Sequence, residues 1–576
     1  MIGSISKVRP AGHHHWYKYG HANGKSDLSA VSNDYKNDLR EDGETWEFSL
    51  DNITDFGRNA FQNTNIHRFK AFTPNCVSMN SMFNTDSYAT YMELKEFDVT
   101  YDKVTNVNSL FHSVGIKEIP ANFNPKTRSF WLLLRGSGTS KMMEFNKGKF
   151  PYNEVLNEAT DLHWAFGMGA PSYKHSYWQF DDRFEWKDVT NITGCFGWSN
   201  YPYYTHYGLI SFPKNLSFKN LITANSSFIG HYDVRMFETK DNMSELTESQ
   251  NMFTRCYNLR HFYPNTETIS WPKLNNASGM FSGCRLDKKS VLKICNALPT
   301  YTNGSHPITI GCHIDLKNDP EVNLALKKVD VNFIPEVELS ENITEGKGWT
   351  LTVNWNGTSN DEYYNPSDLD FSIQLPDGYT RCLYLEGWGW QWLDTGIIPN
   401  KDTGIEVVSN PIRNVTYTYP MGCNNFYPAL VNKKTSNDCY GDYYGSGFQF
   451  GNVTNGEYNK SSINFLNNKK AELTLSGETY YSKDISTSYN GTLKNPIYIF
   501  ALNRAIDNLY GSEQWKWLGR IYRARISQGE EIIRDFIPCL DETGKPCMWE
   551  RIEGKAYHNV NSEELDFMYD CWEIKE

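Results

Sequence analysis

Val104-Thr105-Asn106-Val107-Asn108-Ser109-Leu110-Phe111 and Val189-Thr190-Asn191-Ile192-Thr193-Gly194-Cys195-Phe196 are two copies of one phrase. Weaker copies close at Phe83 (Ser78-Met79-Asn80-Ser81-Met82-Phe83), at Phe166 (Ala159-Thr160-Asp161-Leu162-His163-Trp164-Ala165-Phe166) and at Phe228, Phe253 and Phe281, with a loose one at Phe61. Successive closing phenylalanines lie 22, 28, 55, 30, 32, 25 and 28 residues apart. That spacing describes a repeat of roughly 20–29 residues with inserts, and one copy missing from the long gap. Phe130, in Ser129-Phe130-Trp131, is the candidate for it. A single turn and short strand cannot bury its apolar side alone, so the copies must stack into a continuous core. Phe83, Phe111, Phe166, Phe196, Phe228, Phe253 and Phe281 are the predicted stacking residues.

Several phrases are followed by an apolar pair ending in proline: Ile116-Lys117-Glu118-Ile119-Pro120, Leu209-Ile210-Ser211-Phe212-Pro213 and Leu259-Arg260-His261-Phe262-Tyr263-Pro264. Each reads as one short strand. Three positions beyond the closing phenylalanines stand Thr64, Asp86, Val114, Ser199, His231, Cys256 and Cys284, mostly small or polar residues that suit a repeated turn. Cys256 and Cys284 therefore read as members of a ladder and not as redox or metal groups.

The Val-Thr-Asn phrases, together with Met280-Phe281-Ser282-Gly283-Cys284, resemble BspA-type leucine-rich repeats over about residues 46–285. Inserts at Ser172 to Lys187 and Asn200 to Gly208, rich in Tyr and Trp, are expected to project from one face. An array of this kind needs a polar cap. Leu286 to Leu298 has helical spacing of apolar residues, and Asp319-Pro320-Glu321 opens a second helix through Val329. An alternating run at Gly348-Trp349-Thr350-Leu351-Thr352-Val353 completes the predicted cap, residues 286–353.

Residues 354–371 turn rich in Asn, Gly, Ser and Asp and read as a linker. Beyond it, from 372 to 576, short alternating runs divided by turns predict an all-β domain, as at Thr403 to Ser409, Ser446 to Gly451, Ala471 to Leu475 and Asn495 to Ala501. Leu375 to Glu386 leads into Gln391-Trp392-Leu393-Asp394-Thr395-Gly396. Pro496 to Asn503, Gly519-Arg520-Ile521-Tyr522 and Arg534 to Cys539 follow in order. Over about 372–565 these motifs resemble the concanavalin A-like, LamG-like sandwiches of phage virion proteins and some bacterial surface proteins. The fold expected is thus mainly β: a short-strand leucine-rich-type solenoid with an α/β C-terminal cap, then an antiparallel β-sandwich, or jelly roll. Residues 1–45 form an N-terminal arm, a candidate virion anchor.

Where relatives carry Ser, Thr and Gly, this chain has Gly387-Trp388-Gly389-Trp390-Gln391-Trp392. On one extended strand Trp388, Trp390 and Trp392 would share a face, because side chains alternate with period two. They read either as packed aromatics or as a platform for sugar or subunit contact.

A formal charge of −12 in 576 residues argues against nucleic acid or an anionic membrane as partner. No window approaches the ~18 apolar residues of a membrane span, and Met1-Ile2-Gly3-Ser4-Ile5-Ser6-Lys7 lacks the apolar stretch of a signal peptide. Synthesis in a cytoplasm is the expectation. The 12 cysteines show no CxxC pair and read as buried thiols. Sequons such as Asn52-Ile53-Thr54 carry no weight without export.

No Glu-x-Asp-x-x-Glu pair, zinc His-Glu-x-x-His, phosphate-binding glycine loop or Gly-x-Ser-x-Gly elbow occurs. The acidic cluster Asp181, Asp182, Glu185 and Asp188 reads as a solvated loop. His13, His14 and His15, with His21 near, are a metal set only if equivalent chains meet on an axis; otherwise they belong to the arm.

The resemblances imply a non-enzymatic virion component of a tailed bacteriophage, a tail or head fibre or appendage, made in the host cytoplasm and needing no cofactor. Its implied partners are other virion proteins, a host surface glycan or protein, and copies of itself, as in a trimeric fibre. A bacterial surface adhesin, a purely architectural virion protein and a glycan-degrading enzyme are the competing expectations.

Overall fold

The computed structural model describes residues 8–9, 46–49, 53–56, 68–83, 93–94, 96–112, 115–116, 119–120, 122–134, 149–150, 152–167, 177–197, 208–213, 215–231, 234–263, 268–357, 373–388, 391–411, 420–423, 426–432, 436–443, 446–454, 461–466, 470–475, 478–484, 493–501, 518–560 and 567–570. Two compact units result, Met1–Ser359 and Asn360–Glu576. The chain is mainly β, with few helices among the described residues.

In the first unit each Val-Thr-Asn phrase is one rung of a parallel ladder. Isolated parallel bridges join Asp55 to Ser78, Ser78 to Asn106, Ser129 to Asp161, and then Asp161, Asn191, Thr223, Glu248 and Asn276 in turn. The residue before the bridge carries the next link. Thr190 Oγ1 donates to Thr160 O (3.1 Å) and Thr247 Oγ1 to Ile222 O (3.1 Å), one rung back. The bridged side chain then closes a local turn: Asn106 Oδ1 accepts from Asn108 N, Asp161 Oδ1 from His163 N, and Asn191 Oδ1 from Thr193 N (3.1, 3.0 and 2.9 Å). Asn and Asp suit this position because their short acceptor reaches the amide two residues on.

Three residues past each bridge the backbone enters the left-handed region, at Ser81, Ser109, Leu132, Trp164, Gly194, Ser226, Asn251 and Gly279. This bend returns the next two residues to the core, where the closing phenylalanines stack. Ring centroids are 5.6 Å apart for Phe166 and Phe196, 5.2 Å for Phe196 and Phe228, 5.1 Å for Phe228 and Phe253, and 5.7 Å for Phe253 and Phe281, with ring planes within 16°. Phe83 and Phe111 stack at 6.5 Å. A second phenylalanine set meets the column edge-on from short parallel strands. Phe180 lies 5.1 Å from Phe166 and 5.5 Å from Phe196, Phe237 4.9 Å from Phe253, and Phe262 5.0 Å from Phe281.

The missing copy closes at Leu134 and not at Phe130. Phe130 N donates to Asp161 O, Leu132 N to His163 O and Leu134 N to Ala165 O, the pattern that Leu162, Trp164 and Phe166 repeat against the next rung. Phe130 is therefore the first inward residue of its phrase, and the buried Leu134 holds the stacking position. The insert expectation at Ser172 to Lys187 also changes. Tyr177–Phe180 is a strand, and Phe180, Phe184 and Trp186 are core residues, with Trp186 Nε1 donating to Leu156 O (3.1 Å). Three large apolar side chains within seven residues cannot all face solvent at low cost. Residues 168–176 and 198–207 lie outside the described residues, as does Phe61.

Past Asn276 the ladder runs into longer structure. Ala277 bridges Ile308 and Leu286 bridges Cys312, and the strand His306–His313 pairs in parallel with Trp349–Asn356 over its whole length. The helix Lys288–Ala297 starts where Asp287 accepts from Ser290 N and buries Val291, Ile294 and Cys295 against the stack. The helix Pro320–Val329 is capped by Asp319, has proline in its first turn and ends on Lys327 and Lys328, which complement its dipole.

The second unit is antiparallel. Its large sheet runs Glu478–Asp484, Lys470–Leu475, Ser461–Leu466, Thr403–Pro411, Leu518–Gln528, Glu531–Leu540, Pro546–Glu550, Lys555–His558, with Thr380–Arg381, Tyr384–Trp388 and Met568–Asp570 joined beside this path. Ile405, Val407, Ile521, Ala524, Ile526, Phe536 and Met548 from this sheet share one apolar cluster with Leu393, Met421, Ile497 and Ile499. Leu393, Met421 and Ile499 stand on a smaller sheet of three strands, Leu393–Asp394, Tyr498–Ile499 and Met421–Gly422. No helix among the described residues is long and apolar enough to cross a membrane.

Candidate functional site

Two surfaces of chemical interest arise from this architecture. The first is the outward row of the ladder, one residue before each bridged residue from Ser78 to Glu248: Val77, Thr105, Arg128, Thr160, Thr190, Ile222 and Thr247. Val104, Val189 and Leu246 are buried, and the residue after each lies toward the surface. Rungs repeat at the ~4.8 Å spacing of paired strands, so the row is a regular one. Each threonine hydroxyl proton is committed to the preceding rung, at Thr105, Thr160, Thr190 and Thr247. What remains outward is the γ-methyl group and oxygen lone pairs. Val77 and Ile222 add apolar area at 42% and 43% exposure, and Trp131, on the adjacent turn, is 43% exposed. The row is thus an apolar, acceptor-bearing strip with one cation, Arg128, held by Glu158 at 3.0 Å.

The second surface lies on the large sheet of the other unit. Asp535, fully buried, accepts from Arg523 Nε and Nη2 at 2.8 and 2.7 Å and from Arg551 Nε, with Arg525 Nε at 3.5 Å. Burial by itself raises the Asp535 carboxyl, yet the hydrogen bond and charge of Arg523, with Arg551 and Arg525, hold it below the usual carboxylate range. Arg525 also reaches Glu406 (3.1 Å). Arg520 pairs with the buried Glu386 at 2.9 Å and lies over the Tyr384 ring at 4.7 Å. These charges pair across neighbouring strands and so bind strands of the sheet together.

The tryptophan motif is not one strand. Tyr384–Trp388 closes at Trp388 in the large sheet, and Leu393–Asp394 opens in the smaller one; Trp390 lies outside the described residues. Trp392 is half-buried, its ring 6.4 Å from Tyr498, its backbone N donating to Asn559 Oδ1 and its carbonyl accepting from Val560 N. The period-two argument that would put three indoles on one face needs a continuous strand from 388 to 392, and Gln391 and Trp392 stand outside any strand. His13, His14 and His15 lie outside the described residues. Among those described, no group of three or more His, Cys, Asp or Glu is placed to hold a metal ion.

In the acidic loop, Asp181 binds Arg183 at 2.9 Å, and the Arg183 guanidinium lies 4.6 Å over Tyr152. Glu185 pairs with Lys240 at 3.4 Å. The column beyond the closing phenylalanines is inward and hydrogen-bonded. His231 Nε2 meets Phe196 O at 2.6 Å, Cys256 Sγ donates to Phe228 O at 3.1 Å and Cys284 Sγ to Phe253 O at 3.3 Å. Each reaches the carbonyl of the stacking phenylalanine one repeat earlier. Burial raises the Cys256 and Cys284 thiols and lowers His231 to about 4, so all three are neutral near pH 7. Thr64, Asp86, Val114 and Ser199 lie outside the described residues. The outward row was not visible as a surface in the sequence, although its signal, the Thr of each Val-Thr-Asn phrase, is there.

No protein-family model matches the chain, and no curated protein matches its sequence. Among solved structures it is similar to a putative carbohydrate-binding protein from Bacteroides ovatus, with TM-score 0.24 and 9% identity over 34% of this chain and 60% of that one. It is also similar to domains LG4-5 of the mouse laminin α1 chain, with TM-score 0.19 and 12% identity over 31% of this chain and 46% of that one. The chain thus spans less than two thirds of either neighbour.

Proposed function

We propose that the chain is a non-enzymatic binding component of a tailed-bacteriophage particle, a tail or head fibre or appendage, that contacts a host surface glycan or protein. In this reading the first unit is a BspA-type leucine-rich solenoid with its cap, and the second a concanavalin A-like jelly roll. Other virion proteins and copies of the same chain are its structural partners, and no cofactor takes part. The observation that carries the reading is the division of labour in the ladder. Inward Cys, His and Phe and the local Asn and Asp turns serve stacking alone, while a regular outward row is left with methyl groups, acceptor oxygens and the exposed Trp131. A scaffold of that kind suits contact surfaces and not bond-breaking chemistry. Residue-level resemblance to phage and surface modules supplies the setting, which fold by itself does not fix.

The test is to locate the chain and then to challenge it. Antibody to the purified protein should label intact particles, and the protein should adsorb to host cells in competition with those particles. Recovery from washed bacterial surfaces and never from particles would reassign it as an adhesin; labelling of particles without adsorption would make it architectural. Shortened saccharides after incubation with host capsule would overturn the non-enzymatic reading.

A further inference from the structure

Cys539 and Cys547 are directly opposed on the antiparallel strands Glu531–Leu540 and Pro546–Glu550. Both are fully buried, and their sulfurs lie 3.3 Å apart. The hairpin that holds them is fixed at its turn, where Asp541 N donates to Lys545 O (2.9 Å) and Asp541 Oδ1 accepts from Thr543 N and Lys545 N (2.8 and 2.9 Å). Cross-strand partners have Cα atoms roughly 4.5–5.5 Å apart, inside the roughly 4.4–6.8 Å range that a disulfide spans. The sulfurs need to approach by only about 1.2 Å to reach bonding distance, a change that side-chain rotation supplies without moving either strand. Cys256 and Cys284, by contrast, spend their thiols on backbone carbonyls of the repeat stack.

We propose that Cys539 and Cys547 form a redox staple: thiols while the chain is made under reducing conditions, a disulfide once it meets an oxidising exterior. The inference is independent of what the protein binds. With a small-molecule disulfide as oxidant, the thiolate of one cysteine attacks a sulfur of the oxidant, giving a mixed disulfide and one small thiolate. The second cysteine then attacks the protein sulfur, breaks that mixed bond and releases the second small thiolate. Two protein S–H bonds become one S–S bond, the oxidant is reduced to two thiols, and the two protein protons pass to them. Local opening of the hairpin admits the oxidant, because Pro546–Glu550 is separated from the end of the sheet path by Lys555–His558 alone.

The experiment treats the full-length protein with glutathione disulfide, quenches with a thiol-alkylating reagent under denaturing conditions, and maps tryptic fragments by mass. Trypsin leaves Asp535 to Arg551 whole, since Pro546 follows Lys545, so both cysteines report in one fragment. The expected result is a fragment lighter by two hydrogens that takes no alkyl group until it is reduced, together with a rise of about 5 °C in the unfolding midpoint of the second unit. The C539S/C547S double variant should show no such rise. Alkylation of both cysteines after treatment, a stable glutathione adduct on either, or a bridged fragment with an unchanged midpoint would overturn the proposal.

Discussion

The Trp164 indole fills the space above Gly194 on the next rung: a Cβ on that glycine would sit 2.3 Å from Trp164 Cε2. Both residues occupy the left-handed bend of their repeats, with φ of 55° and 60°. The glycine serves two needs, a conformation that other residues adopt at a cost and room for its neighbour's ring. Gly194→Ala should therefore destabilise the first unit by about 3 kcal/mol, the backbone and packing penalties together. Trp164→Ser combined with Gly194→Ala should restore the packing part and leave about 1 kcal/mol of backbone cost. Chemical denaturation of the two single variants and the double variant measures the coupling directly.

His231 predicts a pH dependence. Its imidazole is sealed in the core against Phe196 O, and burial pushes it down to about 4, whereas in the unfolded chain it titrates near 6.5. Between those values the unfolded chain binds a proton that the folded unit excludes. Stability is full above about pH 6.5 and falls as the pH drops toward 4, by about 3 kcal/mol for this group. His231→Gln removes the titration, so the difference between wild-type and variant stability curves should rise across that window and be flat above it. A constant difference from pH 4 to 7 would sink the assignment.

The column itself can be probed at Phe228, which touches Phe196, Phe212, Phe237 and Phe253 at 4.8–5.7 Å between ring centroids. Phe228→Ala should cost about 3–5 kcal/mol. Because each repeat is stabilised by its neighbours, the loss should split the unfolding of the array into two steps at that rung. Hydrogen exchange at Ile192 and Glu248, one rung to either side, would show it.

Much of this was readable from residues. Phe83, Phe111 and Phe166 to Phe281 mark the stack because a phenylalanine recurring at one phase is costly unless buried each time. Leu286 to Leu298 marks a helix by the spacing of its apolar residues, and Asp319-Pro320-Glu321 marks the start of the next because an acidic cap before proline has few other meanings. The same reasoning misplaced the irregular copy. Ser129-Phe130-Trp131 carries a phenylalanine at the first inward position and leucine at the stacking one, and both places are apolar. Only the register of backbone bonds, Leu134 N to Ala165 O, separates them. The single-strand reading of the tryptophans failed for a related reason: alternation assigns a face only within one strand, and nothing in Gly387 to Trp392 announces that Gln391 and Trp392 stand outside the strand that holds Trp388. The Asp535 network was invisible because its members come from two strands, Arg523 and Arg525 on one and Asp535 on the next, and from the turn at Arg551, and no short pattern fixes how these meet.

That network gives a stability prediction for the second unit. Asp535→Asn removes the charge that three guanidinium groups share, including the carboxylate that the nearly buried Arg523 reaches through both Nε and Nη2. The expected cost is about 3–5 kcal/mol, since removing one charge from a buried, hydrogen-bonded ion pair is expensive. Arg551→Ala should cost about 1 kcal/mol, because its side chain is 41% exposed and water compensates for the loss. Equal losses in denaturant titrations of the two variants would show that burial does not set the energetics here.

The outward row yields the prediction that separates binding from architecture. Val77 and Ile222 stand on the same column of the ladder, each with over two fifths of its surface exposed, and neither closes a turn nor fills the core. Val77→Lys and Ile222→Lys put charge on an apolar strip while leaving the threonine links between rungs in place. Their stability should stay within about 0.5 kcal/mol of wild type, as for surface positions generally. If this strip meets the host, adsorption of the double variant to cells should fall at least tenfold, with assembly into particles unaffected. If the chain is a virion component as proposed and the strip meets a neighbouring protein of the particle, the same variant should be lost from purified particles while the soluble protein keeps its midpoint. Wild-type adsorption and incorporation together would assign the contact to another surface of the chain.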